Sequence, residues 1–307
     1  MKRGFLIFIV IISAVLLLAA CGDDTSKDEN SSKDDKKTSE DQATAEEETK
    51  TDEVWEKIKD KGEIVVGTSG TLIAASYYEG EGEKEDELTG YDVEVMREIA
   101  KRLDLDISFE IMGIDSMLPA IQSGRIDVAA NDIEPTKTRR EAFDFSEPYK
   151  YSYTTMAVRK EDNSGIESLE DLKGKKAGGG ATTIYSQIAE HYGAEVITYG
   201  NAPNEAYLRD VDNGRTDVVI NDYYLTKFGV AAFPDFDIHL HPTLKFNPTE
   251  QAVVLPKGAE QLAEHINKAL EEMREDGTLS ELAIKFYTED ASIKPEGEIE
   301  EVEGLEF

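Results

Sequence analysis

The sequence predicts an α/β protein with two similar lobes, each formed by a mostly parallel sheet covered by helices. Two observations carry this prediction. Short apolar strands alternate with amphipathic helices from Trp55 onward, and one stretch of the chain has a close copy further along.

The strand and helix pattern begins with GEIVVGTSG (62–70), which reads as a strand ending in glycines. GYDVEVMREIAKRL (90–103) follows with helical spacing, and DISFEIM (106–112) is a second strand. The apolar face of this helix consists of Val93, Met96, Ala100 and Leu103. A strand, helix, strand order of this kind implies parallel strands packed against helices.

The repeat joins SGRIDVAANDIEPTK (123–137) to NGRTDVVINDYYLTK (213–227), which align without gaps. Each copy follows a helical stretch, so its glycine is expected to end the helix and its Asp-Val segment to form a strand. Ligands of open α/β sheets bind at the carboxyl ends of the strands. Two lobes facing each other would therefore form a cleft lined by Asn131 and Asp132 on one side and by Asn221 and Asp222 on the other.

The copies differ where the first has Arg139 and the second Gly229. Arg139 on one lobe and an unpaired Asp222 on the other would suit a zwitterion, since a guanidinium grips a carboxylate and an aspartate accepts an ammonium. Two other interpretations stay open at this point. Arg139 could pair with a surface carboxylate, Glu141 or Asp144, and Asp222 could cap the helix that follows it.

Composition narrows the function classes. The 307 residues carry a formal net charge of −32, which argues against nucleic acid or anionic lipid as a partner. Cys21 is the single cysteine, so no intramolecular disulfide forms. The pair His239 and His241 lacks a third ligand, and we expect no metal or other cofactor. No motif of nucleophilic or metal-dependent catalysis is found.

The two ends of the chain are expected to lie outside the lobes. A charged start, an apolar run and LAAC at 18–21 predict a signal peptide over 1–21. An uncleaved membrane anchor is the alternative. Residues 22–52 are acidic and lack aromatic side chains, which predicts a disordered stalk. We expect residues 291–307 to form an acidic, loosely held tail.

The motifs together resemble those of the family 3 extracellular solute-binding proteins, which serve ABC importers of polar amino acids. The resemblance covers nearly all of residues 53–290. Its motifs are GTSGT (67–71), LTGYDVEVMREIAKRL (88–103), DSMLPAIQSGRIDVAAND (115–132), TKTRREAFDFSEPY (136–149), SLEDLKGKKAG (168–178), ATTIYSQIAE (181–190) and NGRTDVVIND (213–222). LAACG likewise resembles the lipobox of bacterial lipoproteins, which implies lipidation of Cys21 and a tether on the outer face of a Gram-positive cell membrane.

The resemblance implies a two-lobed, type II periplasmic-binding-protein-like fold with two hinge crossovers, near 151–154 and 245–253. Lobe 1 would comprise 53–152 plus 250–290, and lobe 2 would comprise 155–245. It implies a monomer that binds a zwitterionic amino acid and passes it to an ABC permease. Arg139, with Thr136 near it, would clamp the ligand carboxylate, Thr182 and Thr183 would lie at a helix N-terminus, and Asp222 would accept the ammonium. Arg140 does not match the family motif and is expected to face water.

The chain departs from the family pattern at several positions around this site. An acidic residue is common where Ser69 stands, and aromatic residues are common near Leu72 and Ile114, so an aliphatic wall is expected unless Tyr77 or Tyr78 folds in. Asp132 replaces a small residue. Glu134 replaces a serine or threonine beside Arg139, where it could weaken an anion site or recruit a ligand amine. AAND (129–132), the T-x-x-R motif that follows it and YKYSY (149–153) look most like those of Gram-positive members assigned to cystine or related polar amino acids.

The leading interpretation is a non-enzymatic protein that binds a small zwitterion, and two other interpretations remain. Cyclohexadienyl dehydratases resemble this family, and Glu134 would be the general acid that such an enzyme needs. A sensor domain is the third interpretation, and it would act through a separate signalling partner.

Overall fold

The computed structural model describes residues 52–80, 87–200, 202–305 and 307, and it shows an α/β protein with two main sheets. The predicted signal peptide with Cys21 lies outside the described residues, as does the predicted stalk up to residue 51. None of the described helices has the length and apolar character needed to span a membrane.

The strands, in chain order, are β1 (Glu63–Thr68), β2 (Thr71–Leu72), β3 (Ser76–Tyr78), β4 (Leu88–Thr89), β5 (Asp106–Ile111), β6 (Val128–Ala129), β7 (Phe143–Phe145), β8 (Lys150–Arg159), β9 (Lys176–Gly179), β10 (Glu195–Thr198), β11 (Val218–Asp222), β12 (Ile238–Leu240), β13 (Phe246–Gln251) and β14 (Val254–Pro256). The α-helices are α1 (Asp52–Lys61), α2 (Tyr91–Arg102), α3 (Ile114–Gln122), α4 (Lys137–Ala142), α5 (Ile184–His191), α6 (Asn204–Asp212), α7 (Tyr223–Ala232), α8 (Glu260–Glu275) and α9 (Thr278–Tyr287).

Each lobe has its own sheet. The first lobe has the strand order β5-β1-β6-β14-β7, and the second has the order β10-β9-β11-β8-β12, with β13 paired to β8. The α/β, two-lobed fold is confirmed, and each main sheet is mostly parallel, with one strand that runs against the others. Three parallel neighbours stand on one side of each sheet, and β14 and β8 run antiparallel to them. β8 begins within the first crossover and β14 follows the second, so each of these strands enters its sheet from the other lobe.

The two predicted crossovers lie side by side. In the register of β8 and β13, Lys150 faces Gln251, Ser152 faces Thr249 and Thr154 faces Phe246. Along the start of β8, alternate residues are buried, which turns a lysine, a serine and a threonine inward at the junction of the lobes. We refer to this paired segment, 150–154 with 246–251, as the hinge ladder.

Helices cover both faces of the sheets. The predicted face of α2 is confirmed: Val93, Met96 and Ala100 are buried, and Leu103 packs at the margin of the same core. This core also receives α1, α8 and α9, and each fully buried side chain such as Met96 stabilises the fold by about 1.5–3 kcal/mol.

The sequence repeat corresponds to a structural repeat. Gly124 and Gly214 both take left-handed backbone angles, with φ of 69° and 68°, one residue beyond the caps of α3 and α6. The shared aspartates also match, because a carboxylate oxygen of Asp127 accepts from Val65 N at 2.9 Å and one of Asp217 accepts from Lys176 N at 2.9 Å. The same residues thus tie the strand to its neighbour in both lobes.

The prediction of a loosely held tail is wrong. Val302 is buried in the core of the second lobe, and Phe307 packs against that core. Asn247 N also donates to Glu300 O at 2.7 Å, which joins the tail to the hinge ladder. Composition indicated only the many carboxylates, whereas the apolar residues spaced among them determine the packing.

Candidate functional site

A cavity of about 270 Å³ lies where the carboxyl ends of strands from the two sheets face each other. The predicted site residues on its wall are Ser69, Leu72, Ile114, Asn131, Asp132, Arg139 and Thr183. Asn131 organises one edge, since its side-chain oxygen accepts from Ser69 N at 2.8 Å and so links the ends of β1 and β6. Thr136, Thr182 and Asp222 are not on the wall and serve the site from behind it.

Arg139 lies on the cavity wall with only 8% of its surface exposed. Thr136 caps α4 by accepting from Arg139 N at 3.2 Å, which fixes where the arginine leaves the helix. Nη1 donates to the backbone oxygen of Glu134 at 2.8 Å and to its Oε2 at 3.2 Å, and Nη2 donates to Thr182 O at 3.1 Å. Arg139 therefore reaches from the first lobe to the second, and its partner carboxylate is Glu134.

The neighbouring Arg140 behaves differently. It is exposed, and its Nε donates to the backbone oxygen of Pro135 at 3.0 Å. The expectation that this arginine faces water is confirmed. The alternative of an Arg139 pair with Asp144 is not seen, because Asp144 forms its ion pair with Lys257 at 3.0 Å.

Thr182 and Thr183 lie at the start of α5 in the second lobe, as the family motif implied. Thr183 is the N-cap, and its hydroxyl oxygen accepts from Ser186 N at 3.2 Å. The Thr182 hydroxyl donates to Asp115 Oδ1 at 2.7 Å, which is a second contact between the lobes. The glycines Gly178, Gly179 and Gly180 precede them and let the backbone line the cavity.

Asp222 is not the unpaired carboxylate that the repeat suggested. It is fully buried, caps α7 through Leu225 N at 3.1 Å, and lies 3.2 Å from Lys150 Nζ. Lys150 Nζ also donates to Asp132 Oδ1. Lys150 on the hinge ladder thus joins a carboxylate of the first lobe to one of the second. The alternative that Asp222 is a helix cap is confirmed.

Four side chains form this buried group, which we call the hinge charge cluster: Asp92, Asp132, Lys150 and Asp222. Asp92 Oδ2 accepts from Asp132 N at 2.6 Å. Burial raises the pKa of Asp92 to about 6, against the opposing effect of Lys150. Burial also raises the pKa of Asp132 well above its usual range, with the charges of Asp222 and Asp92 adding to the rise. For Lys150, burial alone would lower the pKa, but the surrounding carboxylates raise it above its usual value.

Sequence reasoning missed Lys150, and it treated the wall as aliphatic unless a tyrosine folded in. Leu72 and Ile114 do line the cavity, but so do Tyr78 from the first lobe and Tyr185 and Tyr207 from the second. Burial, with the charge of Glu134 adding to it, raises the pKa of Tyr185 well above its usual value, so its hydroxyl stays protonated. Tyr185 stands in the first turn of a helix that starts at the cleft, and that position is the signal that could have revealed it.

The two histidines that the sequence suggested as a metal pair, His239 and His241, each contact an oxygen atom of the second lobe. His239 Nε2 is 2.9 Å from Asn163 Oδ1, and His241 Nε2 is 2.8 Å from Ile166 O. Within the part of the chain that the structure describes, no group of three or more His, Cys, Asp or Glu side chains is arranged to hold a metal ion.

Comparison with known proteins shows what the chain as a whole is similar to. The model of the bacterial extracellular solute-binding proteins, family 3, matches residues 64–289. The chain is 49% identical over 304 residues to the probable ABC transporter extracellular-binding protein YckB of Bacillus subtilis, covering 99% of this chain and 98% of that protein. It is 35% identical over 298 residues to the L-cystine-binding protein TcyA of the same organism, covering 95% and 100%.

Solved structures agree with these likenesses. The crystal structure of YckB matches with a TM-score of 0.65 at 54% identity, covering 81% of this chain and 99% of that chain. An ancestral arginine-binding protein bound to arginine matches with a TM-score of 0.67 at 32% identity, covering 74% and 98%.

Proposed function

Because the chain belongs to the bacterial extracellular solute-binding proteins of family 3, we propose that it captures a polar amino acid between its lobes and delivers it to an ABC permease. The ligand leaves chemically unchanged. The two lobes, 53–152 plus 250–290 and 155–245, close on the amino acid by motion about the hinge ladder.

The position of Arg139 carries this proposal. Its guanidinium lies on the cavity wall, is nearly buried, and donates to the second lobe through Thr182 O. A planar fork of donors in a desolvated cleft suits the carboxylate of an amino acid. The N-terminus of α5 at Thr183 lies on the same wall and also favours negative charge.

The ammonium of the same ligand would have carboxylates nearby. Asp132 and Glu134 are on the wall, whereas Asp222 lies behind it and is paired with Lys150. Asp222 would contact the ammonium directly only if the Lys150 side chain moved away from it. We therefore assign the wall contacts to Asp132, Asn131 and Ser69, and the support of the site to Thr136, Thr182 and Asp222.

The similarity to the L-cystine-binding protein TcyA favours cystine or a related polar amino acid as the ligand. The similarity to the ancestral arginine-binding protein favours arginine. Both share the α-carboxylate and the α-ammonium that the proposal requires. A dehydratase would need Glu134 as a proton donor, but here its Oε2 accepts from Arg139 at 3.2 Å in an ion pair. Binding without chemistry therefore fits the site better than an enzyme does.

The proposal includes the tether as well. Residues 1–21 would direct export, Cys21 would be lipidated, and residues 22–52 would form a stalk that holds a monomer near its permease on the outer face of the membrane. The formal charge of −32 supports a partner other than nucleic acid.

Calorimetric titration of the full chain, purified in mild detergent, with the amino acids and cystine tests the proposal. Arg139→Lys keeps the charge beside Glu134 but loses the fork, and Arg139→Ala loses both. Each lost charged hydrogen bond is worth about 1.5–3 kcal/mol, so Kd should rise at least tenfold in both variants. The control Arg140→Ala should bind as the unchanged protein does. Equal binding by the Arg139 and Arg140 variants would contradict the proposal.

A further inference from the structure

Carboxylates outnumber cations around the cavity. Asp132 and Glu134 are on the wall and are 6% and 7% exposed, and among the described residues of the wall Arg139 is the cation beside them. Directly behind them are Lys150, Asp222 and Asp92 of the hinge charge cluster. Among the side chains that the structure describes, four carboxylates and two cations therefore meet here.

The hydrogen bonds do not offset this excess. Glu134 Oε2 accepts from Arg139 at 3.2 Å, and the Tyr185 hydroxyl interacts with the same carboxylate but brings no positive charge. Asp132 Oδ1 accepts from Lys150, whereas its Oδ2 is buried and has no hydrogen-bond partner among the described residues. Buried carboxylate oxygens without partners are costly, and four carboxylates cannot all be neutralised by two cations.

The excess of negative charge also affects the pKa of Asp132. Burial raises the pKa of Asp132, Lys150 opposes the rise, and the charges of Asp222, Asp92 and Glu134 add to it. Another positive charge in the cavity would favour the ionised form of this carboxyl. The wall is thus short of positive charge at the place where a ligand would bind.

This shortage discriminates among amino acids. A neutral zwitterion adds one charge of each sign and leaves the imbalance unchanged, and an acidic amino acid increases it. A basic amino acid presents a carboxylate to Arg139 and brings two cations. We propose, on the basis of the function proposed above, that the ligand is an amino acid with a positively charged side chain and that Glu134 sets this preference.

Glu134 has this effect because of its position rather than through the general acidity of the protein. Exposed carboxylates are screened by salt over about 8 Å at physiological ionic strength, whereas a nearly buried one on the wall is screened much less. Glu141 provides a matched control, because it is an exposed carboxylate on the neighbouring helix α4 and is not part of the cavity wall.

The test compares ligands of one shape and different charge. L-arginine and L-citrulline differ in a guanidinium against a neutral urea group, so the ratio of their Kd values isolates the side-chain charge. The full chain is titrated with both, and with L-lysine, L-glutamine and cystine, at 0.15 M salt. The titrations are repeated with Glu134→Gln and Glu141→Gln. We expect arginine to bind at least about tenfold more tightly than citrulline, a difference of about 1.4 kcal/mol.

Glu134→Gln should reduce this ratio severalfold, and Glu141→Gln should leave it unchanged. Citrulline, glutamine or cystine binding as tightly as arginine would overturn the inference while leaving the proposed function in place. That comparison uses the unchanged protein, so it does not depend on how the variants fold. A folded Glu134→Gln variant with the full preference would overturn the role of Glu134. If no amino acid bound at all, both the proposed function and this inference would fail.

Discussion

Replacing Lys150 with methionine removes the cation that joins Asp132 to Asp222 across the two lobes. The lysine side chain is fully buried, as are its two partner carboxylates. Removing one partner of a buried ion pair costs about 3–5 kcal/mol, because the remaining charge is left uncompensated. Methionine fills a similar volume, so little of this loss would come from a cavity. We expect the free energy of unfolding at pH 8 to fall by about 3–5 kcal/mol.

The pH dependence of this loss tests the cause. Without Lys150 the buried carboxylates bind protons more readily, and each proton taken up relieves about 1.4 kcal/mol per pH unit below the raised pKa. The loss should therefore be smaller at pH 5 than at pH 8. Urea unfolding followed by circular dichroism measures both values. The exposed Lys268→Met is the control and should change stability by less than about 0.5 kcal/mol. A loss below about 1 kcal/mol at pH 8, or an equal loss at both pH values, would refute the reasoning.

Further predictions concern Asp92 and Gly90. Folding raises the pKa of Asp92 from 3.8 to about 6, so its carboxyl costs about 3 kcal/mol of stability as pH rises from 4 through 6. Asp92→Asn should lose less stability than the unchanged protein between pH 4 and pH 7 in urea unfolding, and identical slopes would contradict this. Gly90 has φ of 124°, and an added Cβ would lie 2.3 Å from Ala75 O, so Gly90→Ala should cost on the order of 3 kcal/mol. Gly214→Ala, with open space around it, should cost about 1 kcal/mol, and similar midpoints for the two variants would rule out the clash.

Local signals in the sequence were sufficient for much of the fold. The helix α2 followed from apolar spacing, and the repeat identified Gly124 and Gly214 as the residues after their helix caps. These features depend on neighbours in the chain. Strand direction was harder for β14 and β8, since each enters its sheet from the other lobe.

The site was predictable in its position but not in its partners. Arg139 was singled out by the break in the repeat and by the family motif T-x-x-R, and Thr183 by the family motif at a helix start, and both lie on the wall. The pairing of Lys150 with Asp132 and Asp222 unites three distant segments, and no local pattern reveals such a contact. Alternation along KYSY would place the two tyrosines inward and Lys150 outward, so the burial of Lys150 required the structure. Glu134 was noted as unusual, but its bond to Arg139 required the structure.

The most direct test of the account is a crystal structure of the protein grown with the amino acid that it binds most tightly. We expect the ligand carboxylate within hydrogen-bonding distance of the Arg139 guanidinium, inside the cavity bounded by Ser69 and Thr183. A carboxylate held by Lys150 instead, or an amino acid bound outside this cavity, would contradict the account.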